Sequence, residues 1–204
     1  MDYTVLDLEM TGLAPKRDKV IEIGAVRVRN GEIADTYGTL VRPGMSIPET
    51  VVQLTGITDE MAALGKEENV AMQELLQFIG DDILVGHNLI FDYSFLKRSA
   101  VNHGLPFVHQ GIDTLKLARH FLPDAESRRL EDLCTYYHIE TAHHHRAVDD
   151  AACTAEIFVK FMQEQNTDLA SGAASLREIA AVLRDACSSM EKAEAQAKAV
   201  VSRR

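Results

Sequence analysis

Hydrophobic and polar positions alternate in the first forty residues and later give way to three- and four-residue spacing. Tyr3 to Met10 is a run of β-forming residues, and Val20 to Arg29 is a second, with Ile21, Ile23, Ala25, Val26 and Val28; both are predicted strands. Asn30-Gly31 is a tight hairpin signal, so Glu32 to Val41 is the predicted returning strand. Pro43 to Pro48 breaks the pattern. Helical spacing follows around Glu49 to Leu54 and from Glu67 to Ile79. Ile83-Leu84-Val85 reads as a short buried strand. Phe91 to His103 is a predicted helix ended by Gly104 and Pro106. Asp113 to Phe121, Leu130 to Tyr137 and Arg146 to Gln165 are further predicted helices. Strands come mostly first and helices later, with one strand–helix alternation between, which predicts an α/β domain on a mixed sheet.

The helical pattern is interrupted by small and polar residues near Asn166 to Ser175. This divides a domain of residues 1–165 from a tail of residues 166–204. Ser175 followed by Glu178 is a capping-box signature. Leu176, Ile179, Leu183, Ala186, Met190, Ala193, Ala197 and Val200 then form a heptad seam. Such an amphipathic helix either packs on its own domain or docks elsewhere, a second copy included. Alanine at several seam positions makes it weak alone.

Composition narrows the classes. Apolar residues are 46% and charged residues 25% of 204, the profile of a folded globular chain. No apolar run reaches the ~18 residues of a membrane span, and the first ten residues lack the basic and apolar regions of a secretory signal. Cys134, Cys153 and Cys187 lie far apart without a Cys-x-x-Cys pair, as expected of ordinary thiols in a reducing cytoplasm. Membrane association is not expected. The formal charge of −10 argues, as a bulk property, against a partner as anionic as nucleic acid. The acids are unevenly spread, however. Asp59 to Asp82 holds seven acids against Lys66 alone, which reads as a solvated face and loop. Bases fall in short groups: Lys16, Arg17 and Lys19; Lys97 and Arg98; Arg128 and Arg129.

Three places carry candidate chemistry. Asp7 and Glu9 are two apart in a strand and therefore share a face. If that face is buried, two neighbouring anions need a cation, and a divalent metal is the economical one; an exposed strand face is the plain alternative. Gly86-His87-Asn88-Leu89-Ile90-Phe91-Asp92 follows a buried strand, at the sheet's carboxyl end where α/β domains place sites. Asp92 could instead only complement its helix dipole. In His143-His144-His145-Arg146-Ala147-Val148-Asp149-Asp150, the histidines could be a surface tract and the aspartates dipole partners. Asp150, though, precedes Ala151, Ala152 and Ala155, small residues that let a helix approach a sheet. Four carboxylates around two divalent ions ~3.5–4 Å apart suit phosphoryl chemistry, and a nearby imidazole suits a general base.

Asp7-Leu8-Glu9-Met10-Thr11-Gly12-Leu13 resembles the first motif of the DnaQ-like 3′–5′ exonucleases, and Gly86 to Asp92 their second. His145 to Asp150 is similar to the third motif of the DEDDh subfamily, and Leu54 to Asp59 and Asp113 to Arg119 also look like family sequence. The resemblance is strongest to bacterial DNA polymerase III proofreading exonucleases and covers about residues 1–165. It implies a ribonuclease-H-like fold, with a five-stranded mixed sheet flanked by helices, here with an added C-terminal helix. It implies that Asp7, Glu9, Asp92 and Asp150 bind two Mg²⁺ or Mn²⁺ ions and that His145 is the general base. Arg146 stands where the sister subfamily has a tyrosine, which indicates the histidine version. Met10, Thr11, Gly12, Leu13, His87 and Phe91 match residues around the terminal nucleotide; Met10 departs from the usual Thr or Ser. The implied partners are a single-stranded 3′ end, DNA or short RNA, and a polymerase, with a homodimer through the C-terminal helix as a further expectation.

Overall fold

The computed structural model describes residues 2–141, 145–171, 181, 182 and 185, with 166–171 described by their backbone alone. Among these residues, five strands form one mixed sheet: β1 (Tyr3–Met10), β2 (Val20–Arg29), β3 (Glu32–Leu40), β4 (Ile83–Gly86) and β5 (Gly111–Asp113). Their order is β3-β2-β1-β4-β5. The β1–β2 and β2–β3 pairs are antiparallel, and β4 runs parallel to both β1 and β5. The helices are α1 (Glu49–Thr55), α2 (Asp59–Ala63), α3 (Glu68–Ile79), α4 (Ile90–His103), α5 (Thr114–Phe121), α6 (Leu130–Tyr137) and α7 (Ala147–Ser171). The mixed α/β architecture and five-stranded sheet agree with expectation.

Alternation along β1 builds the two layers. Tyr3 and Val5 join Val26, Val28 and the inner residues of α5, α6 and α7, including Phe158 and Phe161. Leu6 and Leu8 face the other way, against α3 and α4 through Met72, Leu75, Tyr93 and Leu96. Each fully buried side chain of this size contributes about 1.5–3 kcal/mol over its exposed state, so the faces of β1 cannot exchange.

Three elements depart from the pattern reading. β5 has three residues, too few to display alternation, and its last, Asp113, is the first residue of the helix the sequence predicts. Asp113 instead caps α5, accepting from Leu115 N at 3.0 Å. The five-residue α2 is capped by Thr58. The helix expected to end at Gln165 continues to Ser171, across the proposed domain boundary. Most of the predicted C-terminal helix, with its heptad seam and Cys187, lies outside the described residues. Where it is described, Val182 packs against the α7-side core and the Asp185 carbonyl accepts from Lys116 Nζ at 2.8 Å. No helix among the described residues is long and apolar enough to cross a membrane. Cys134 and Cys153 are buried free thiols.

Candidate active site

The alternation that directs Tyr3 and Val5 toward α7 directs Asp7 and Glu9 there as well. Opposite them in the antiparallel register stand Gly24 (to Asp7) and Glu22 (to Glu9), and Gly38 continues the row on β3. A Cβ at Gly24 would come within 2.0 Å of the Ala147 carbonyl carbon, and one at Gly38 within 2.5 Å of Val148 Cγ2. The two glycines therefore form a trough in which the first turn of α7 lies directly on the sheet. That close approach delivers Asp150, itself buried, to the end of β1.

Glu22 fastens this junction. It is 4% exposed, and its carboxylate accepts from Arg146 Nη2 at 2.6 Å, from Arg146 Nε at 3.1 Å and from the Ala147 backbone N–H at 3.0 Å. A two-pronged guanidinium pair is directional as well as strong, and the bond to Ala147 satisfies a donor at the start of α7 that has no partner within the helix. Glu22 carries no local signal in the sequence, because its partners lie more than 120 residues away.

Asp92 arrives from the opposite layer. The parallel ladder between β1 and β4 ends at Val5, so further along β1 the edge facing β4 is open. Asp92 Oδ1 accepts from Leu8 N there at 3.0 Å, and the side chain is 5% exposed. Burial raises the pKa of Asp92 to about 7 despite that bond, with the charge of Asp113 adding to the rise. Burial likewise raises Glu9 to about 8, assisted by Asp150, Glu22 and Asp92 and opposed by Arg146. Asp7 is pushed well above the carboxylate range by burial, then by Asp92, Glu9, Asp150 and Glu22.

The ligand atoms of Glu9, His145 and Asp150 lie within 4.8 Å of one another. Two carboxylates at that separation repel by about 3.5 kcal/mol at an effective dielectric constant of ~20. A donor set of two carboxylates and an imidazole, with Asp150 buried and Glu9 and His145 half-buried, fits a divalent cation. Asp7, Glu9, His145 and Asp150 line one cavity of about 460 Å³ together with Leu54, His87, Arg129 and Glu131. The Asp150 carboxylate accepts from the His145 backbone N–H at 3.2 Å, and His145 Nε2 lies 3.1 Å from Glu131 Oε1. Glu131, another residue the sequence did not single out, thus holds the imidazole against the cavity wall.

The residues matched to a nucleotide pocket divide. His87 reaches the cavity, but its Nε2 donates to the Arg128 carbonyl at 2.9 Å and its Nδ1 pairs with Thr114 Oγ1 at 3.0 Å. Burial holds it neutral, lowering its pKa to about 4. Thr11 is buried and closes its own loop on Lys19, in both directions, at 2.8–2.9 Å. A Cβ at Gly12 would strike the Asp18 carboxylate, which accepts from Ala14 N. Leu13 is 72% exposed and Phe91 is partly exposed; neither lines the carboxylate cavity, nor does the half-buried Met10. His143 and His144 lie outside the described residues.

A central strand that ends in two carboxylates, joined by one from each flanking helical layer, stands in a five-stranded mixed sheet of the ribonuclease-H-like fold. Residues 4–158 match the RNase T exonuclease family, and the chain belongs to that family. It is 38% identical over 184 residues to the PolC-type DNA polymerase III of Caldanaerobacter subterraneus subsp. tengcongensis, covering 90% of this chain but 13% of that protein. The chain therefore spans about an eighth of that relative's length. It is 39% identical over 163 residues to the DNA polymerase III subunit epsilon of Aquifex aeolicus, covering 79% of this chain and 81% of that one. Among solved structures, exonuclease X in complex with 5′-overhanging duplex DNA superimposes with a TM-score of 0.65 at 23% identity. That match covers 92% of this chain and 99% of the other, and is a likeness of fold.

Proposed function

We propose that this exonuclease removes nucleoside 5′-monophosphates from the 3′ end of a single strand, DNA in preference to RNA, and depends on two Mg²⁺ or Mn²⁺ ions. The observation that carries this reading is the convergence of Glu9, His145 and Asp150 in the cavity that Asp7 also lines. Asp7, Glu9, Asp92 and Asp150 would hold the ions, which when bound stabilise charge on the phosphoryl oxygens and lower the pKa of water. His145 takes the proton of the attacking water, and Glu131 steadies the imidazole as it does so. The exposed apolar surfaces of Leu13 and Phe91 pack against the terminal nucleoside, and backbone groups of Met10, Thr11 and Gly12 approach its 3′-hydroxyl. The closed loop around Thr11 supports that role by fixing the backbone. Preference for DNA and a polymerase partner are supported by the names of the relatives, which are DNA polymerase III components.

Parallel digestion of 5′-labelled single-stranded DNA, single-stranded RNA and 3′-mismatched duplex, each with Mg²⁺, Mn²⁺ or EDTA, tests the reading. A 3′-shortened ladder dependent on metal, fastest on DNA, is expected. Cleavage that persists in excess EDTA contradicts the mechanism, and faster digestion of RNA contradicts the substrate.

A further inference from the structure

Two adjacent arginines at the start of α6 have opposite fates. The guanidinium of Arg128 is consumed by backbone carbonyls, donating to Leu122 O at 2.8 Å from Nη2 and 3.1 Å from Nε, and to Pro123 O. Arg129 is exposed and lines the carboxylate cavity, and its guanidinium has no hydrogen-bonding or ionic partner among the described residues. Of the residues lining that cavity it is the one Lys or Arg side chain, against the carboxylates of Asp7, Glu9, Glu131 and Asp150.

The backbone beneath Arg129 is fixed. The preceding carbonyl accepts from His87 Nε2 at 2.9 Å, the Arg129 N–H donates to Ser127 Oγ at 3.3 Å, and the Arg129 carbonyl accepts from Leu133 N at 3.0 Å in the first turn of α6. His87 therefore ties the start of α6 to the β4–α4 loop. An unneutralised guanidinium on an anchored backbone, at the wall of an acidic cavity, suits an anion that must enter the cavity. The planar donor fork suits a phosphodiester.

We infer that Arg129 binds a backbone phosphate within the last three linkages of the substrate strand. The assignment rests on the exonuclease reading and adds to it the residue that offsets the carboxylates' repulsion of the strand.

Binding of the full chain to a 5′-fluorescent oligothymidylate with a hydrolysis-resistant terminal linkage is measured by anisotropy, in Mg²⁺, over a salt series. Arg129→Gln is expected to weaken binding about tenfold, the lower end of the range for a hydrogen bond to a charged group. It should also flatten the slope of log K against log salt by about 0.7, the value for one phosphate on a single strand. Arg129→Lys keeps the slope. A neutral methylphosphonate placed at each of the last three linkages in turn weakens the wild-type protein at one of them and leaves Arg129→Gln unaffected there. Unchanged affinity and slope in Arg129→Gln, with normal cleavage of an ordinary strand by the wild type, overturns the assignment alone. Failure of the wild type to cleave that ordinary strand in Mg²⁺ or Mn²⁺ overturns the exonuclease reading, and the assignment with it.

Discussion

The acids between Asp59 and Asp82 and those at the end of β1 differ in what neutralises them. In the first region Glu67 pairs with Arg42 and Glu74 with Lys66; Glu68 lies 3.7 Å from Lys19 and 3.3 Å from His103; Asp82 pairs with Arg29 at 2.8 Å. Asp59 accepts from Ile47 N. Lys66 and then Tyr37, by hydrogen bonds, hold Glu74 below its usual pKa. The expected solvated face is thus in large part a set of paired charges. At the end of β1 burial and then other acids push Asp7 and Glu9 upward, and burial pushes Asp92 upward against its backbone hydrogen bonds. Arg146, the nearby base, is already engaged by Glu22. The first region is complete as it folds, whereas the second calls for cations from outside. The formal charge of −10 adds the two together and therefore misleads about nucleic acid.

Replacing one acid of the second kind should separate the two regions most sharply. Asp7→Asn is expected to reduce hydrolysis to background while raising the melting temperature in EDTA at pH 8, because a carboxyl whose ionisation is opposed by burial and by neighbouring acids is removed. A variant that loses activity and also melts lower in EDTA would show that Asp7, like the paired acids, stabilises the fold. Glu22→Ala comes next. It leaves the Ala147 N–H and the Arg146 guanidinium without their acceptor and should cost about 1–3 kcal/mol in urea denaturation. Activity should fall as well, because the turn carrying His145 and Asp150 loses its tether to β2.

The pH dependence of the metal-free protein is a smaller effect with a defined sign. Glu9 is raised from 4.5 to about 8 and Asp92 from 3.8 to about 7, so the folded chain retains protons that the unfolded chain has released. The melting temperature in EDTA should therefore fall as pH rises from about 4.5, the loss being complete above the folded-state values of about 7 and 8. His87, lowered from 6.5 to about 4, removes stability on the acid side, below pH 6.5. Mg²⁺ should reverse the alkaline loss by binding the ionised carboxylates. A flat profile between pH 6.5 and 8.5 in EDTA would argue that these acids are ionised without metal. Least affected should be Lys66→Ala in the paired region. Both partners are exposed and screened by solvent, so the melting temperature should barely change, with hydrolysis unaltered.

What the chain disclosed in advance follows from the range of each interaction. Asp7 and Glu9 were legible because a strand's two-residue period is local. Asp92 and Asp150 were legible as acids in the first turns of helices bordering the sheet. The close approach of α7 was inferred from Ala151, Ala152 and Ala155; the glycines that permit it, Gly24 and Gly38, lie on other elements more than a hundred residues away. Glu22 and Glu131 each meet their partner only after folding, and neither carries a local signal. The fifth strand is too short for periodicity and is held by its pairing to β4. His87, matched to the nucleotide pocket by motif, lines the cavity with both of its ring nitrogens engaged within the protein, a pairing that no local pattern announces.

We propose that the carboxylates at the end of β1, held apart from the protein's own bases, bind divalent cations. Calorimetric titration of the full chain with Mn²⁺ at pH 8 tests it most directly, with the Asp150→Asn variant alongside. Two ions bound per wild-type chain, and loss of at least one in the variant, is the predicted result. Equal binding by both proteins, or none by the wild type while it still hydrolyses single-stranded DNA, would contradict it.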